Sequence, residues 1–173
     1  MALRRLPQNM INKINFLFVT LFGVGKLKKI PGSYASLATT ILLFFLFHVL
    51  NFSPNFVLIV ILILFIISLY AVNVFIKDLD NKDPKEIVID EFIGQSIPIC
   101  LYEIAHDGVK ETGEILTFYF IMFILFRIFD IVKPYPVSYY DKNFKNSFGV
   151  IMDDICAGLY VVAVLVLYMV ITS

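Results

Sequence analysis

Five acidic side chains stand inside apolar stretches of this sequence. Two are adjacent in IVIDEFIG (87–94), two are adjacent in GVIMDDICAGL (149–159), and one lies in FRIFDIVKPYP (126–136). An acid at the centre of a bilayer costs roughly 2.5–3.5 kcal/mol on insertion scales, so an acid inside a membrane predicts a functional site. A shallower position near one face lowers this cost and weakens the inference. The five acids are Asp90, Glu91, Asp130, Asp153 and Asp154.

Carboxylates gathered at one site repel one another unless cations neutralise them. Arg127 and Lys133 provide two positive charges. A divalent cation would provide more, and a ligand set made only of oxygen atoms suits Mg²⁺. We therefore predict Mg²⁺ as the cofactor. The competing interpretation is that the two acid pairs merely begin helices, where the macrodipole favours each acid by ~0.3–1 kcal/mol.

Sequence spacing places other groups beside these acids. Arg127, Asp130 and Lys133 follow one another at intervals of three residues and share a broad helical face, and a proline then ends that helix. Gly94 and Gly158 each come four residues after an acid. Such glycines leave room for a ligand or for a neighbouring helix, and the sequence leaves both roles open.

The segment GKLKKIPGSYAS (25–36) offers a second kind of binding group. Ser33 is a candidate N-cap, and Gly32, Ser33 and Ser36 would surround a helix N-terminus with free N–H groups, which binds phosphate readily. The three lysines of the segment add positive charge there, or face lipid headgroups instead. Carboxylates for Mg²⁺, cations and a helix N-terminus together suit a phosphate ester carried by a lipid.

The elements that position these groups are predicted to be helices in a membrane. The chain has 173 residues and is 60% hydrophobic, against roughly 45–50% in soluble domains. We predict one all-α domain, 1–173, folded as a polytopic membrane helical bundle of about five embedded helices, with a short interfacial or re-entrant helix at 14–23. A span needs about 20 helical residues. The five predicted helices are 33–50, 56–76, 87–105, 115–132 and 154–171.

Alternating passes through the membrane determine which loops share a side. The five acids then lie at one depth near one face, which also holds thirteen of the fourteen basic residues, and Lys110 alone lies opposite. The positive-inside bias makes that face cytoplasmic. The thirteen are Arg4, Arg5, Lys13, Lys26, Lys28, Lys29, Lys77, Lys82, Lys85, Arg127, Lys133, Lys142 and Lys145.

Other functions explain the pattern less well. The formal net charge is zero, which gives no argument for a nucleic-acid partner. Neither Cys100 nor Cys156 has an arginine six residues on, and His48 and His106 are predicted near the opposite face, so cysteine and histidine nucleophiles are disfavoured. A small membrane cation transporter would place its acids near the midplane. That alternative and a non-catalytic scaffold for lipid enzymes stay open.

Four ordered segments, IPGSYASL, IVIDEFIGQ, FRIFDIVKPYP and GVIMDDICAGL, resemble the bacterial phosphatidylglycerophosphatase A family. The resemblance implies a multi-pass enzyme of the bacterial cytoplasmic (inner) membrane that uses Mg²⁺ to convert phosphatidylglycerophosphate to phosphatidylglycerol. The family's acidic positions map onto the five acids, and its arginine and lysine onto Arg127 and Lys133. Residues 31–36 have one glycine fewer than the family pattern, and 146–149 lack its glycine pair.

The predicted site residues fall into three groups. The groups assigned to catalysis are Glu91, Asp130 and Asp154. The groups assigned to the substrate and its negative charge are Arg127, Lys133, Gly32, Ser33 and Ser36. The carboxylates assigned to one or two Mg²⁺ ions are Asp90, Glu91, Asp130, Asp153 and Asp154.

The expected role of Asp130 is that of a further metal ligand or of the base that orients the attacking water. Direct attack by an aspartate on phosphorus also stays open. The expected partners are the lipid substrate and the surrounding membrane lipids, and a homo-oligomer is compatible with the sequence.

Overall fold

The computed structural model describes residues 10–106 and 112–172, and within these ranges it contains helices and no strand. The all-α prediction is therefore confirmed. In chain order, the elements are α1 (Met10–Val19), a 3₁₀ helix (Leu21–Lys26), α2 (Pro31–His48), α3 (Pro54–Ile76), α4 (Ile89–Ala105), α5 (Thr112–Val132), α6 (Val137–Asn143) and α7 (Ser147–Thr172). Arg4, Arg5 and Lys110 of the predicted charge asymmetry lie outside the described residues.

Four of the helices, α2, α3, α5 and α7, are long and apolar enough to cross a membrane. The fifth long helix, α4, has only 17 residues, contains Pro98 and carries two acids in its first turn. It packs against α2, α3, α5 and α7, most extensively against α7, and Ile93 and Ile99 are almost fully buried on it. The neighbouring helices thus shield α4 from lipid, and the prediction of about five embedded helices agrees with this set.

The short N-terminal helix is present, although it begins earlier than predicted. A helix rises about 1.5 Å per residue, so the ten residues of α1 are too few to cross a bilayer. The Asn15 amide nitrogen donates to the Ala71 carbonyl oxygen at 3.0 Å. The Val88 N–H donates to the Val19 carbonyl oxygen, also at 3.0 Å. These contacts fix α1 against α3 and against the start of α4.

The predicted start of the last helix was wrong. α7 begins at Ser147 rather than at residue 154, because the Asn146 side-chain oxygen accepts a hydrogen bond from the Gly149 N–H at 3.0 Å and so caps the helix. Asp153 and Asp154 therefore lie about two turns inside α7. The macrodipole acts within the first turn, so the competing interpretation of these two acids as helix-initiating residues is excluded.

The predicted N-cap of α2 was also wrong. α2 begins at Pro31, which suits the first helical position because it has no N–H to satisfy. The preceding Ile30 takes a left-handed conformation, with φ of 40°. Ser33 consequently lies inside the first turn, where its N–H donates to the Ile30 carbonyl oxygen at 3.1 Å and is not a free donor.

The segment between α5 and α7 was predicted as a loop but contains α6. Lys133 directly follows α5 with a left-handed φ of 48°, and Pro134 cannot continue the helix. α6 then packs along α7, with Val137 fully buried. α6 and the N-terminal part of α7 therefore lie beside the end of α5 that carries the predicted site residues.

Candidate active site

One end of the bundle collects the predicted acidic residues. The first turn of α4, the last turns of α5 and the second turn of α7 meet there. Asp90, Glu91 and Asp154 each offer one carboxylate oxygen, and these three atoms all lie within 4.8 Å of one another. Asp90 and Asp154 are only 6% and 4% exposed. The predicted convergence of α4 and α7 on one acidic site is present in the structure.

Two glycines explain how α4 and α7 come so close. A Cβ atom built on Gly94 would lie 2.6 Å from the backbone carbonyl oxygen of Asp154. A Cβ atom on Gly158 would overlap the backbone carbonyl oxygen of Gly94. The two backbones are therefore in direct contact at these positions. Of the two roles that the sequence left open for these glycines, the structure shows close helix packing.

The three-carboxylate cluster of Asp90, Glu91 and Asp154 has the properties of a cation site. Within 10–106 and 112–172, Oε2 of Glu91 and Oδ1 of Asp154 are buried side-chain atoms without a hydrogen-bond partner. Like charges at such separations repel strongly in a medium of low dielectric constant. Buried carboxylates are accordingly paired or bound to a metal, and a set of oxygen ligands fits a hard divalent cation such as Mg²⁺.

Arg127 of α5 contacts an acid on its own helix and a serine on α2. Its Nη1 lies 3.0 Å from Oδ2 of Asp130 and donates to the Ser36 hydroxyl oxygen at 3.3 Å. The carboxyl group of Asp130 also neighbours that of Asp154. Asp130 therefore neighbours both the guanidinium group and one member of the three-carboxylate cluster.

The N-terminal turn of α2 lies against the same cluster. A Cβ atom on Gly32 would overlap the carboxylate of Glu91 and would approach Nη1 of Arg127 to 3.4 Å. The Ser36 hydroxyl donates to the Gly32 carbonyl oxygen at 2.9 Å. Gly32 and Ser36 are thus at the site, whereas the half-buried Ser33 is next to it in the chain.

Lys133 and Asp153 form a separate part of the site. Nζ of Lys133 lies 2.8 Å from Oδ2 of Asp153 and 2.7 Å from Oδ1 of Asp141. Burial on its own lowers the pKa of Lys133, but the hydrogen bonds to Asp141 and Asp153 outweigh it, and the net pKa is raised. The ammonium group therefore stays charged at neutral pH. Asp153 is paired with this ammonium group and is not part of the cluster of Asp90, Glu91 and Asp154.

Sequence reasoning missed Asp141. It stands eight residues after Lys133, beyond the end of α5 and a proline-containing turn, so helical spacing relates it to none of the predicted residues. The only signal was the presence of one acid in the segment 137–143, which was predicted as a loop.

The two histidines lie away from this site, as predicted. His48 ends α2, and its Nε2 is 3.3 Å from Oε1 of Glu103. The Tyr119 hydroxyl donates to the same carboxylate oxygen at 3.0 Å. His106 directly follows α4. A histidine nucleophile at the carboxylates is therefore excluded.

The fold and the site together define a helical membrane protein with carboxylates and cations gathered at one end of its bundle. The chain belongs to the phosphatidylglycerophosphatase A family, whose sequence profile matches residues 17–169. This match confirms the resemblance that the four sequence segments indicate.

Individual relatives agree with this assignment. The chain is 34% identical over 158 residues to phosphatidylglycerophosphatase A of Haemophilus influenzae, covering 90% of this chain and 88% of the relative. It is 30% identical over 139 residues to phosphatidylglycerophosphatase A of Escherichia coli K12, covering 80% and 73%. A Bacteroides thetaiotaomicron protein, provisionally named a phosphatidylinositol-3-phosphatase, is 33% identical over 147 residues, covering 83% and 86%. No solved structure shows a significant match.

Proposed function

We propose that this protein hydrolyses the terminal phosphate of phosphatidylglycerophosphate, giving phosphatidylglycerol, in a Mg²⁺-dependent reaction at the cytoplasmic face of the bacterial inner membrane. The observation that carries the proposal is the cluster of Asp90, Glu91 and Asp154, together with two cations that pair with the neighbouring acids, Arg127 with Asp130 and Lys133 with Asp153. Membership of the family, and the names of the Haemophilus influenzae and Escherichia coli relatives, support this substrate.

Asp90, Glu91 and Asp154 would hold the Mg²⁺. When bound, the ion supplies Lewis-acid polarisation of the phosphoryl oxygens and neutralises their charge. Arg127, which contacts Asp130, and Lys133, which contacts Asp153, would offset the remaining negative charge of the phosphate. Phosphoryl transfer depends mostly on positioning and electrostatic stabilisation, so two fixed cations beside the carboxylates suit this reaction.

Asp130 is proposed as the group that orients the attacking water. Its carboxylate is held by Arg127 at 3.0 Å and neighbours Asp154, so it has a defined orientation at the edge of the cluster. It would accept a proton as the water oxygen bonds to phosphorus. The ester P–O bond then breaks, and the glycerol oxygen takes up a proton to become the hydroxyl group of the product.

The test of the carboxylates is phosphate release from phosphatidylglycerophosphate by the purified full-length chain in mixed micelles. Asp90→Asn, Glu91→Gln and Asp154→Asn should each lower kcat by about 100-fold or more, since each removes charge from the proposed metal site. Chelation should abolish release, and added Mg²⁺ should restore it. Asp80→Asn, a matched change at an exposed loop acid, should leave the rate unchanged. Normal release by all three site variants would contradict the proposal.

The alternatives give different outcomes in related assays. Faster release from phosphatidylinositol 3-phosphate than from phosphatidylglycerophosphate would favour the substrate named for the Bacteroides thetaiotaomicron relative. Cation flux into liposomes without any phosphate release would favour a transporter. A scaffold would show neither activity and would retain its cellular role after loss of the acids.

The proposed orientation is tested by cysteine labelling in intact cells. Cys100 and Cys156 are both buried, so a cysteine introduced at an exposed loop position would dominate the labelling. A membrane-impermeant thiol reagent should label Asn51→Cys and spare Asp80→Cys, because the two positions lie at opposite ends of α3. The reverse pattern would place the carboxylates outside the cytoplasm.

A further inference from the structure

We infer that Asp141 of α6 is a positioning residue for Lys133, which makes this short helix a working part of the active site. The inference rests on the proposed phosphatase function, in which Lys133 offsets the charge of the substrate phosphate. Two carboxylates from different helices, Asp141 on α6 and Asp153 on α7, accept hydrogen bonds from its Nζ at 2.7 and 2.8 Å.

The geometry of the ammonium group gives Asp141 its role. A lysine side chain is long and flexible, and its ammonium group has three donors. Asp153 alone would leave Lys133 free to rotate about a single contact. With Asp141 as a second acceptor, two donors are fixed in direction, and the third is directed by them. A phosphate oxygen is a suitable acceptor for that third donor.

The setting of the pair differs from that of an ordinary surface ion pair. Exposed pairs contribute little because solvent screens them and both side chains remain mobile. Here the side chains of Lys133 and Asp141 are 27% and 28% exposed. Lys133 is also constrained by its backbone, since its N–H donates to the Phe129 carbonyl oxygen at 2.9 Å.

α6 itself is held firmly enough to place a side chain. Val137 is fully buried. The rings of Tyr140 and Phe144 pack with their centroids 5.6 Å apart. Phe148 of α7 in turn packs edge-on against Phe144, with a centroid distance of 5.9 Å. The Lys145 ammonium group donates to the Asp141 carbonyl oxygen at 2.6 Å. The backbone that carries Asp141 is therefore anchored on α7 beside Asp153.

The simpler explanation is that Asp141 only helps α6 to dock. The two explanations differ in what happens when Lys133 is absent. A docking residue acts on the fold whether or not Lys133 is present, whereas a positioning residue acts on the reaction only through Lys133.

The experiment measures phosphate release and thermal unfolding of the full-length chain in micelles. Asp141→Asn should lower kcat by about 10- to 100-fold, as expected when a charged group is misplaced by about 1 Å, with little change in unfolding temperature. Asp141→Glu should recover part of the loss. In a Lys133→Met background, Asp141→Asn should cause no further decrease, because the two changes remove the same interaction.

Two control variants separate local effects from general ones. Asp80→Asn repeats the change of charge at an exposed loop position. Asn143→Ala removes a hydrogen bond from the exposed side of α6, in which the side-chain amide donates to the Tyr139 carbonyl oxygen at 2.8 Å. Both should keep the wild-type rate.

Three outcomes would overturn the inference. An unchanged kcat in Asp141→Asn would show that Lys133 needs no second carboxylate. An equal loss with and without Lys133 would show that Asp141 acts independently of it. The absence of phosphate release from the wild-type chain would overturn the proposed function and this inference together, and only that outcome affects both.

Discussion

The backbone carbonyl oxygen of Asp154 occupies the space next to Gly94 where a side chain would begin. A Cβ atom at Gly94 would lie 2.6 Å from this oxygen and 2.9 Å from the Cβ atom of Asp154. One carboxylate of the candidate site is therefore positioned by a residue that has no side chain. Helix packing and the geometry of the carboxylates are coupled at this point.

Gly94→Ala should destabilise the fold. The added methyl group meets backbone atoms of α7 that cannot move independently, and overpacking of this kind costs typically 1–3 kcal/mol. The unfolding temperature in detergent should fall, and phosphate release should fall with it because Asp154 is displaced. Gly113→Ala, at a helical glycine where a Cβ atom meets nothing within 4 Å, should be neutral or slightly stabilising. Equal stability of the two variants would refute close contact between α4 and α7.

Gly32→Ala should affect activity more than stability. Its Cβ atom would overlap the carboxylate of Glu91, which is the end of a flexible side chain and can rotate away at low energetic cost. A shift of about 1 Å in a reacting group can reduce a rate by about 100-fold. We expect a clear loss of kcat with an unfolding temperature close to that of the wild type. A large loss of stability with normal turnover would contradict this placement of α2.

Arg127→Lys should not preserve function despite keeping the charge. One guanidinium nitrogen reaches both Asp130, at 3.0 Å, and Ser36, at 3.3 Å, and a compact ammonium group on a differently shaped stem does not reproduce this geometry. A hydrogen bond to a charged group contributes roughly 1.5–3 kcal/mol, so kcat/KM should fall roughly 10- to 100-fold. Ser36→Ala should cause a smaller loss. Full activity of the lysine variant would mean that charge alone suffices.

Mg²⁺ should stabilise the folded protein even without substrate. A ligand that binds only the folded state adds about 2.7 kcal/mol at 100 times its Kd, so the unfolding temperature should rise as Mg²⁺ is titrated. The rise should be absent in Asp154→Asn, which loses one of the three clustered carboxylates. An identical rise in both proteins would indicate that Mg²⁺ binds elsewhere.

Much of the architecture could be predicted because the chain is so apolar. The long hydrophobic runs predict the helices. Because successive helices cross the membrane in opposite directions, the N-terminal ends of α4 and α7 and the C-terminal end of α5 lie on one side, where the acids meet. The start of α7 could not be predicted from hydrophobicity, because it depends on the capping hydrogen bond between Asn146 and Gly149. A polar segment that caps a helix resembles an ordinary loop in composition.

The partners of individual acids were less predictable. Asp153 and Asp154 are adjacent in the sequence, yet Asp153 pairs with Lys133, whereas Asp154 joins Asp90 and Glu91. Successive residues on a helix point about 100° apart, so neighbours in the chain face different partners. Which of the two faces which group depends on the rotation of α7, and the contact between Gly94 and Gly158 sets that rotation.

The composition of α4 also has a consequence for the assembly of the site. Four helices are long and apolar enough to cross a membrane, whereas α4 carries Asp90 and Glu91 in its first turn and depends on its neighbours to shield these acids from lipid. Its main partner α7 follows it in the chain, separated from it by α5 and α6. The three-carboxylate cluster is therefore complete only when α7, which carries Asp154, packs against α4.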